Sequence, residues 1–181
     1  MKVLYLCVYH LFRALSALRR RTYIYRSICS GLKIGNDTRL AGSIDFGSEP
    51  FLISIGNCCL ITDGVRFITH DGAIQVPLIM QGENLEDVYS KKSTFGRINI
   101  GDNVFIGVSS VILPETKISN DTVIAAGSVV KGDFPAGVVI GGNPAKVICS
   151  LDDYFFKNKG RIVELHSDGV SRDELIRALF F

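Results

Sequence analysis

The chain has 181 residues, of which 47% are hydrophobic, and a formal net charge of +2. This length fits one domain with a sizeable core, and no apolar run approaches the roughly 18 residues that cross a bilayer. The five cysteines form no C-x-x-C pair, so neither a disulfide framework nor a zinc site is indicated and a reducing cytoplasm fits best.

Residues 1–33 are predicted to form an amphipathic helix. Arginines rather than a small-residue cleavage site follow "VLYLCVYHLF", so this segment is not interpreted as a signal peptide. One helical face is apolar, at Leu4, Val8, Leu11, Leu15 and Leu18. This stripe is expected to cap the open end of the domain that follows.

The charge of the N-terminal segment differs from that of the rest of the chain. Residues 1–36 hold seven basic residues and no acidic one, which leaves 13 basic against 18 acidic residues, or −5, for the remainder. A helix with this charge gains binding energy beside anionic lipid. We therefore expect a cytoplasmic protein with weak peripheral contact at the inner face of the membrane.

Residues 34–148 are dominated by a six-residue repeat with the pattern [ILV]-G-x-x-[STV]-x. A period of six fits neither an amphipathic helix nor an ordinary strand. It predicts a solenoid of short parallel strands, in which three hexapeptides form one triangular coil and equivalent positions of successive coils stack. The axis is expected to be filled by the aliphatic position, at Ile34, Leu40, Phe46, Ile55, Ile61, Phe67, Ile100, Ile106, Ile112, Ile118, Ile124 and Val130.

Residues 73–97 interrupt the repeat directly after "GVRFITHDG". The segment mixes charges with Gly and Pro. An interruption of this length in a compact repeat is either functional or a flexible surface loop. If it is functional, we expect it to decide which acceptor binds.

Residues 149–181 are predicted to form a helical segment at the end of the chain. "SRDELIRALFF" has the pattern of a helix with Ser171 as its N-cap and Glu174 completing a capping box.

The repeat resembles that of the hexapeptide-repeat acyltransferases. The resemblance rests on "IGDNVFIGVSSVILPETKISNDTVIAAGSVV", the interrupting loop and "GGNPAKVI", which occur in the family's order within residues 34–148. It implies a mainly β fold: a left-handed parallel β-helix with N- and C-terminal helices and one long loop after the second coil. Only the resemblance implies the left hand, because the usual rule for parallel crossovers predicts a right-handed coil.

The resemblance also implies a function. "GSEPFLISIG" followed by "GVRFITHDG" is most similar to the branch that acetylates sugars of capsule, lipopolysaccharide or other surface glycans. Members of this family are homotrimers with the active site between two subunits. The implied reaction is O-acetyl transfer from acetyl-CoA to a sugar hydroxyl, by direct attack within a ternary complex.

His70 is the candidate catalytic base. It is the only histidine of the repeat region, and it matches the family's catalytic histidine in "THDG". Imidazole is the side chain best suited to remove a hydroxyl proton at neutral pH. Counting residues along the coils places Glu49 under His70, where it would fix the tautomer. Asp71 is a second candidate to orient His70, or to bind acceptor hydroxyls; otherwise both acids are turn residues.

A column of small residues at one corner is the candidate acetyl-CoA site. The stacking of successive coils places Gly107 beneath Ala125 and Ser110 beneath Ser128, and the resemblance assigns this groove to the pantetheine arm. Lys146 is expected to continue the second of these columns and meet the phosphates of coenzyme A. In many relatives the corresponding lysine, which would meet the same phosphates, lies one position away from Lys131. The candidate acetyl-CoA-binding residues are Gly107, Ser109, Ala125, Ala126, Gly127, Lys131, Pro144 and Lys146.

Other functions make different demands on the sequence. N-acetylation of a nucleotide-linked amino sugar needs the same base and donor groove, so it stays an alternative. A non-catalytic β-helix scaffold would not need His70, the loop and "GGNPAK" together. A zinc enzyme of the carbonic anhydrase type needs three histidines on the coils, where this chain has only His70. The basic N-terminal helix has no nucleic-acid-binding motif. We therefore expect neither a metal nor nucleic acid to bind.

Overall fold

The computed structural model describes residues 2–164 and 171–180, with side chains for 8–164, 171–174 and 176–178. The described chain forms two compact units, Met1–Leu151 and Asp152–Phe181. The expectation from the chain length was one domain.

The first unit begins with a long helix, α1 (Lys2–Cys29), and continues in short strands. The strands are β1 (Lys33–Ile34), β2 (Arg39–Leu40), β3 (Ile53–Ile55), β4 (Leu60–Ile61), β5 (Arg66–Phe67), β6 (His70–Asp71), β7 (Thr94–Phe95), β8 (Ile98–Ile100), β9 (Val104–Ile106), β10 (Val111–Ile112), β11 (Thr116–Ile118), β12 (Thr122–Ile124), β13 (Val129–Val130), β14 (Asp133–Phe134), β15 (Val138–Gly142) and β16 (Ala145–Ser150). Helices α2 (Gln75–Met80) and α3 (Leu85–Lys91) lie between β6 and β7, and α4 (Leu151–Asn158) and α5 (Arg172–Phe180) follow β16.

The strands stack into three parallel sheets, which are the three faces of the coils. Their orders are β1-β3-β8-β11-β14, β2-β4-β9-β12-β15 and β5-β10-β13, with β16 added antiparallel at the edge of the second sheet. Ile106 pairs with Ile124, and Ile112 with Val130, so equivalent positions of successive coils lie side by side. The predicted parallel β-helix is confirmed.

The aliphatic position of the repeat fills the axis, as predicted. Phe46, Ile61, Phe67, Ile106, Ile112, Ile118, Ile124 and Val130 are fully buried, and each such side chain contributes roughly 1.5–3 kcal/mol by leaving water. The fifth position is polar because its hydroxyl bonds the backbone of the corner. Ser110 Oγ donates to the Gly107 carbonyl at 2.8 Å, and Ser128 Oγ to the Ala125 carbonyl at 2.5 Å.

The fourth position of the repeat turns the corner in a left-handed backbone conformation. Asp37, Cys58, Asn103, Ser109, Glu115 and Asp121 have φ between 54° and 64°, a region that side chains other than glycine, asparagine and aspartate rarely adopt. His70 occupies this position by sequence, yet it begins strand β6. The chain therefore departs from the hexapeptide repeat at His70.

The last two turns of α1 close the first coil. The Tyr23 ring stacks on Phe46 with the centroids 6.2 Å apart, and the Tyr23 hydroxyl accepts the Phe46 N–H at 2.8 Å. Ser27 is buried and Ile24 packs against the core. Only the part of the helix next to β1 makes these contacts.

The prediction that the leucine stripe caps the coil is wrong. Val8, Leu11, Leu15 and Leu18 are 43–62% exposed, and the Leu4 side chain lies outside the described part. The stripe is on a different face of the helix from Tyr23 and Ser27, so it cannot pack on the coil while those residues do.

The interrupting segment has secondary structure of its own, where the resemblance implies a long loop. Its two ends are joined by the antiparallel pairing of β6 with β7, in which His70 lies opposite Phe95. Asn84 caps α3, because its Oδ1 accepts the Glu86 N–H at 2.9 Å. Val88 of α3 is fully buried. A helical insertion therefore starts and ends beside the candidate base.

The final coil is shorter than the others. Ile124 pairs with Ile140, which is nearer along the chain than a full coil would bring it, and β16 then runs back along β15. Lys146 consequently lies opposite Gly141 in the antiparallel pair. The expectation that Lys146 continues the Ser110–Ser128 column is wrong, because the chain reverses before a full coil is completed.

The predicted capping box of α5 is confirmed within the second unit. Ser171 Oγ accepts the Glu174 N–H at 3.3 Å, and Glu174 Oε2 accepts the Ser171 N–H at 2.9 Å.

Across the described residues, no helix has both the length and the apolar character that a membrane span requires.

Candidate active site

His70 lies where the helical insertion leaves the second coil. Its Nδ1 is 2.9 Å from Glu49 Oε2, and its ring centroid is 5.9 Å from that of Phe95. The side chain is 43% exposed, and Nε2 makes no hydrogen bond within the described part of the chain. One nitrogen of the imidazole is therefore held by the protein while the other is open.

Glu49 determines which nitrogen of His70 carries the proton. Its Oε2 accepts the Thr69 hydroxyl at 2.6 Å as well as His70 Nδ1. Burial alone would raise the pKa of the Glu49 carboxyl, but the bonds from Thr69 and His70 and the attraction of a charged imidazole outweigh burial and lower that pKa. An ionised carboxylate only accepts, so the neutral form of His70 donates from Nδ1 and keeps its lone pair on Nε2.

Thr69 is a site residue that the sequence reasoning missed. It is 1% exposed, and Glu49 is the acceptor of its hydroxyl. The only signal in the sequence is its place beside the histidine in "THDG", which does not show that the hydroxyl turns toward Glu49.

Asp71 is not brought to the His70 ring. Its carboxylate accepts the Ala73 N–H at 2.8 Å and caps the short 3-10 turn at Gly72–Ile74. Neighbouring strand residues point to opposite faces, which explains why the two side chains diverge. Of the two acids predicted to orient His70, the geometry brings Glu49 to the imidazole.

A cavity of about 290 Å³ opens beside His70, and the helical insertion supplies most of its wall. It is lined by Glu49, His70, Gly72, Gln75, Val88, Tyr89, Lys92, Ser93 and Phe95. The hydroxyl of Ser93 is buried and has no hydrogen-bond partner within the described residues. Lys92 is paired with Glu83. The cavity thus combines aromatic rings, an unpaired hydroxyl and a neutralised cation.

The small-residue column lies at the corner that follows β9 and β12. The Gly107 N–H bonds the Ile124 carbonyl at 2.9 Å, and the Gly127 N–H bonds the Val108 carbonyl at 2.8 Å. A Cβ at Gly107 would collide with the backbone of Ala126, so stacking of the coils already requires this glycine. Ser109, Ala126 and Gly127 are exposed, and Ala125 is half-buried.

This corner leaves backbone donors open. The N–H groups of Val108 and Ala126 make no hydrogen bond within the described residues. At the neighbouring corner the equivalent groups are satisfied, because the Asn57 N–H bonds Asp102 Oδ1 at 2.7 Å and the Asp102 N–H bonds Asn120 Oδ1 at 2.9 Å. The column therefore presents a row of amides that suits a narrow ligand with carbonyl groups.

The remaining donor-site candidates lie at the surface, Lys146 and Pro144 near the end of the column and Lys131 at the next corner, between β13 and β14. Lys146 is exposed opposite Gly141, and Gly141 stacks against Ala125. Pro144 is exposed in the turn between β15 and β16, and Lys131 is exposed after β13. Neither lysine forms an ion pair within the described residues.

The chain is similar to known transferases. Residues 97–132 match the family described as bacterial transferase hexapeptide (six repeats). The chain is 49% identical over 127 residues to Protein CapG of Staphylococcus aureus, which is 68% of this chain and 69% of that protein. It is 32% identical over 139 residues to galactoside O-acetyltransferase of Escherichia coli, which is 75% of this chain and 64% of that protein.

The fold is also similar to that of a solved acetyltransferase structure. The crystal structure of a maltose O-acetyltransferase from Clostridium difficile superposes with a TM-score of 0.57 at 28% identity, over 66% of this chain and 59% of that chain. This chain therefore spans less than two thirds of the galactoside and maltose O-acetyltransferases that it matches.

Proposed function

Because the chain belongs to the bacterial hexapeptide transferases, whose fold is the left-handed parallel β-helix, we propose that it transfers an acetyl group from acetyl-CoA to a sugar hydroxyl of a surface polysaccharide or its precursor. The observation that carries this proposal is the pair formed by His70 and Glu49, with Nε2 open to the cavity. Two relatives named O-acetyltransferases of galactosides and of maltose support the acceptor class.

His70 acts as the general base in this proposal. Nε2 removes the proton of the acceptor hydroxyl as its oxygen attacks the thioester carbonyl within the ternary complex. The new C–O bond forms, the C–S bond breaks, and the imidazolium returns the proton to the leaving thiolate of coenzyme A. Glu49 stabilises the imidazolium and keeps Nδ1 protonated throughout.

The small-residue corner binds the donor. The open N–H groups of Val108 and Ala126 are spaced along the column to meet the amide carbonyls of the pantetheine arm. Ser109, Gly127 and Pro144 line its sides, and Lys131 and Lys146 attract the phosphates as point charges. Gly107 and Ala125 keep the floor of the column flat.

The cavity beside His70 binds the acceptor. Phe95 and Tyr89 offer apolar ring faces to the C–H face of a sugar, and Ser93 offers its unpaired hydroxyl to a sugar oxygen. Asp71 does not line this cavity and its carboxylate caps Ala73, so we assign it no contact with the acceptor. Since Glu83 neutralises Lys92, a neutral sugar ring fits this cavity better than an acidic one.

The alternatives are weaker on the same observations. N-acetylation of an amino sugar would use the same base and donor column, but the two relatives whose names give a sugar acceptor are O-acetyltransferases. A scaffold without activity gives no reason for Glu49 to hold an exposed histidine in one tautomer. We further propose that the enzyme is a homotrimer, with each active site completed by a neighbouring subunit.

Substitution of the base tests the proposal. His70→Ala is expected to lower kcat about 100-fold or more without changing the Kd of acetyl-CoA. His10→Ala, which removes a histidine from α1, is the matched control and should leave kcat unchanged. Steady-state kinetics with a panel of sugar acceptors, beside a calorimetric titration of acetyl-CoA, measure both quantities. Near wild-type kcat in His70→Ala would exclude the proposed role.

A further inference from the structure

An apolar stripe on α1 is left uncovered by the fold. Val8, Leu11, Leu15 and Leu18 follow one another at spacings of three and four residues and are all exposed. At 100° per residue the stripe lies roughly 150° around the helix axis from Tyr23, Ile24 and Ser27, the face that closes the first coil. The helix therefore turns its leucines away from the β-helix.

A groove between α1 and the first two coils confirms this orientation. It is lined on the helix side by residues such as Phe12, Ser16 and Arg20, and on the coil side by Ser43 and Asp63. None of the four stripe residues lines the groove.

Positive charge borders the stripe on both sides. In the same projection Arg19, which also lines the edge of the groove, and Arg26 lie along one edge of the stripe, and Arg21 lies along the other. None of these arginines forms an ion pair within the described residues. Arginine keeps its guanidinium at a polar boundary while its aliphatic stem covers apolar surface, so this face has the pattern of a helix lying in the plane of a membrane interface.

We propose that α1 docks the protein on an anionic lipid surface, with the leucine stripe in the acyl boundary and the flanking arginines on lipid phosphates. The charge of the segment selects this occupant, because residues 1–36 carry seven basic residues and no acidic one. A symmetric contact between two copies of the stripe would instead bring like arginines together, which opposes association.

This geometry differs from the one that the sequence suggested in the position of the stripe. There, the stripe was expected to pack on the coils and the arginines alone to meet lipid. In the structure Tyr23 and Ser27 close the coil, which frees the stripe for lipid. The inference stands apart from the proposed acetyl transfer, since no residue of the active site takes part.

Vesicle sedimentation tests the proposal. Wild-type protein is expected to pellet with vesicles of phosphatidylcholine and phosphatidylserine at low salt, and at least tenfold less with phosphatidylcholine alone or at high salt. Leu11→Ser with Leu15→Ser should reduce binding at least tenfold, as should Ser at Arg19, Arg21 and Arg26. The matched control places Ser at Arg39, Arg97 and Lys117, which removes the same charge from the coils and should bind as wild type does.

Two outcomes would overturn the proposal. Leucine variants that bind as tightly as wild type would show that the stripe does not enter the lipid. A change in the assembly's mass for the leucine variants, measured by light scattering, would show that the stripe is a contact between subunits. Because the substituted side chains are exposed, thermal melts should match wild type, and acetyl transfer to a soluble acceptor should be unchanged.

Discussion

Glu49 links the stability of a coil corner to the protonation of the proposed catalytic pair, His70 and Glu49. One oxygen accepts from Thr69, which is buried, and from His70, which is partly exposed. Because the Thr69 hydroxyl is buried, it cannot bond to solvent instead. Loss of the Glu49 acceptor should therefore lower the free energy of unfolding as well as the activity. Stability and tautomer are thus controlled by the same carboxylate.

The lowered pKa of Glu49 predicts how stability depends on pH. Glu49→Gln removes the charge but keeps an oxygen acceptor, and should lower the free energy of unfolding by about 1 kcal/mol at neutral pH. The carboxylate contributes fully above its ordinary value of 4.5, and this contribution is lost as the pH falls through the lower pKa of the folded state. Denaturant melts of both proteins from neutral to acidic pH should therefore converge.

A constant difference between the two melts across that range would contradict this account. Thr69→Val, which removes the second donor to the carboxylate, should raise the pKa of Glu49 and move the convergence to higher pH.

At the level of elements, the corners differ in how their backbone amides are satisfied. An Asn and Asp ladder bonds the amides at one corner, as in the pair formed by Asn57 and Asp102. The corner with Val108 and Ala126 has no such side chains, so its amides stay open. Repeats with the same backbone path thus produce one corner whose amides are satisfied and one whose amides are open.

Ala126→Trp tests the open corner. Ala126 is exposed, so the larger side chain should be tolerated by the fold but should fill the column and raise the Kd of acetyl-CoA at least tenfold, which corresponds to about 1.4 kcal/mol. Lys117→Trp, at an exposed position on β11, is the matched control. Calorimetry beside a thermal melt measures both effects, and an unchanged Kd would place the donor groove at another corner.

At the level of the whole molecule, apolar side chains remain exposed on the β-helix. Phe105, Val108, Val147 and Ile148 are among them, and they lie on or near the sheet that contains β9 and β16. A closed threefold assembly would cover such a surface. This requirement supports the proposed homotrimer, in which His70 of one subunit meets the donor column of the next.

The proposed trimer leads to two predictions that can be measured, one of its mass and one of its activity. Light scattering should give three times the chain mass of 19.8 kDa. If each site combines two subunits, inactive His70→Ala and Ala126→Trp chains should regain part of the activity when they are unfolded and refolded together. A monomer mass at micromolar concentration, or mixtures without activity, would reject the shared site.

The sequence alone determined the features that depend on local periodicity. The six-residue repeat predicted the coils, their parallel strands and the buried positions such as Ile106 and Ile124, because burial recurs with the period of the backbone. The capping box of Ser171 and Glu174 was equally predictable, since it involves residues close together in the chain. His70 could be proposed as the base from its residue type and neighbours.

Only the tertiary structure decided the features that depend on register and on how elements approach one another. The bond from Thr69 to Glu49 crosses between coils, and the shortened last coil moved Lys146 out of its expected column. The stacking of Tyr23 on Phe46 determines which face of α1 meets the coils. This contact joins residues that are far apart in the chain. An amphipathic pattern shows that a helix has an apolar face, but the partner of that face is decided by the competing contacts of the folded chain.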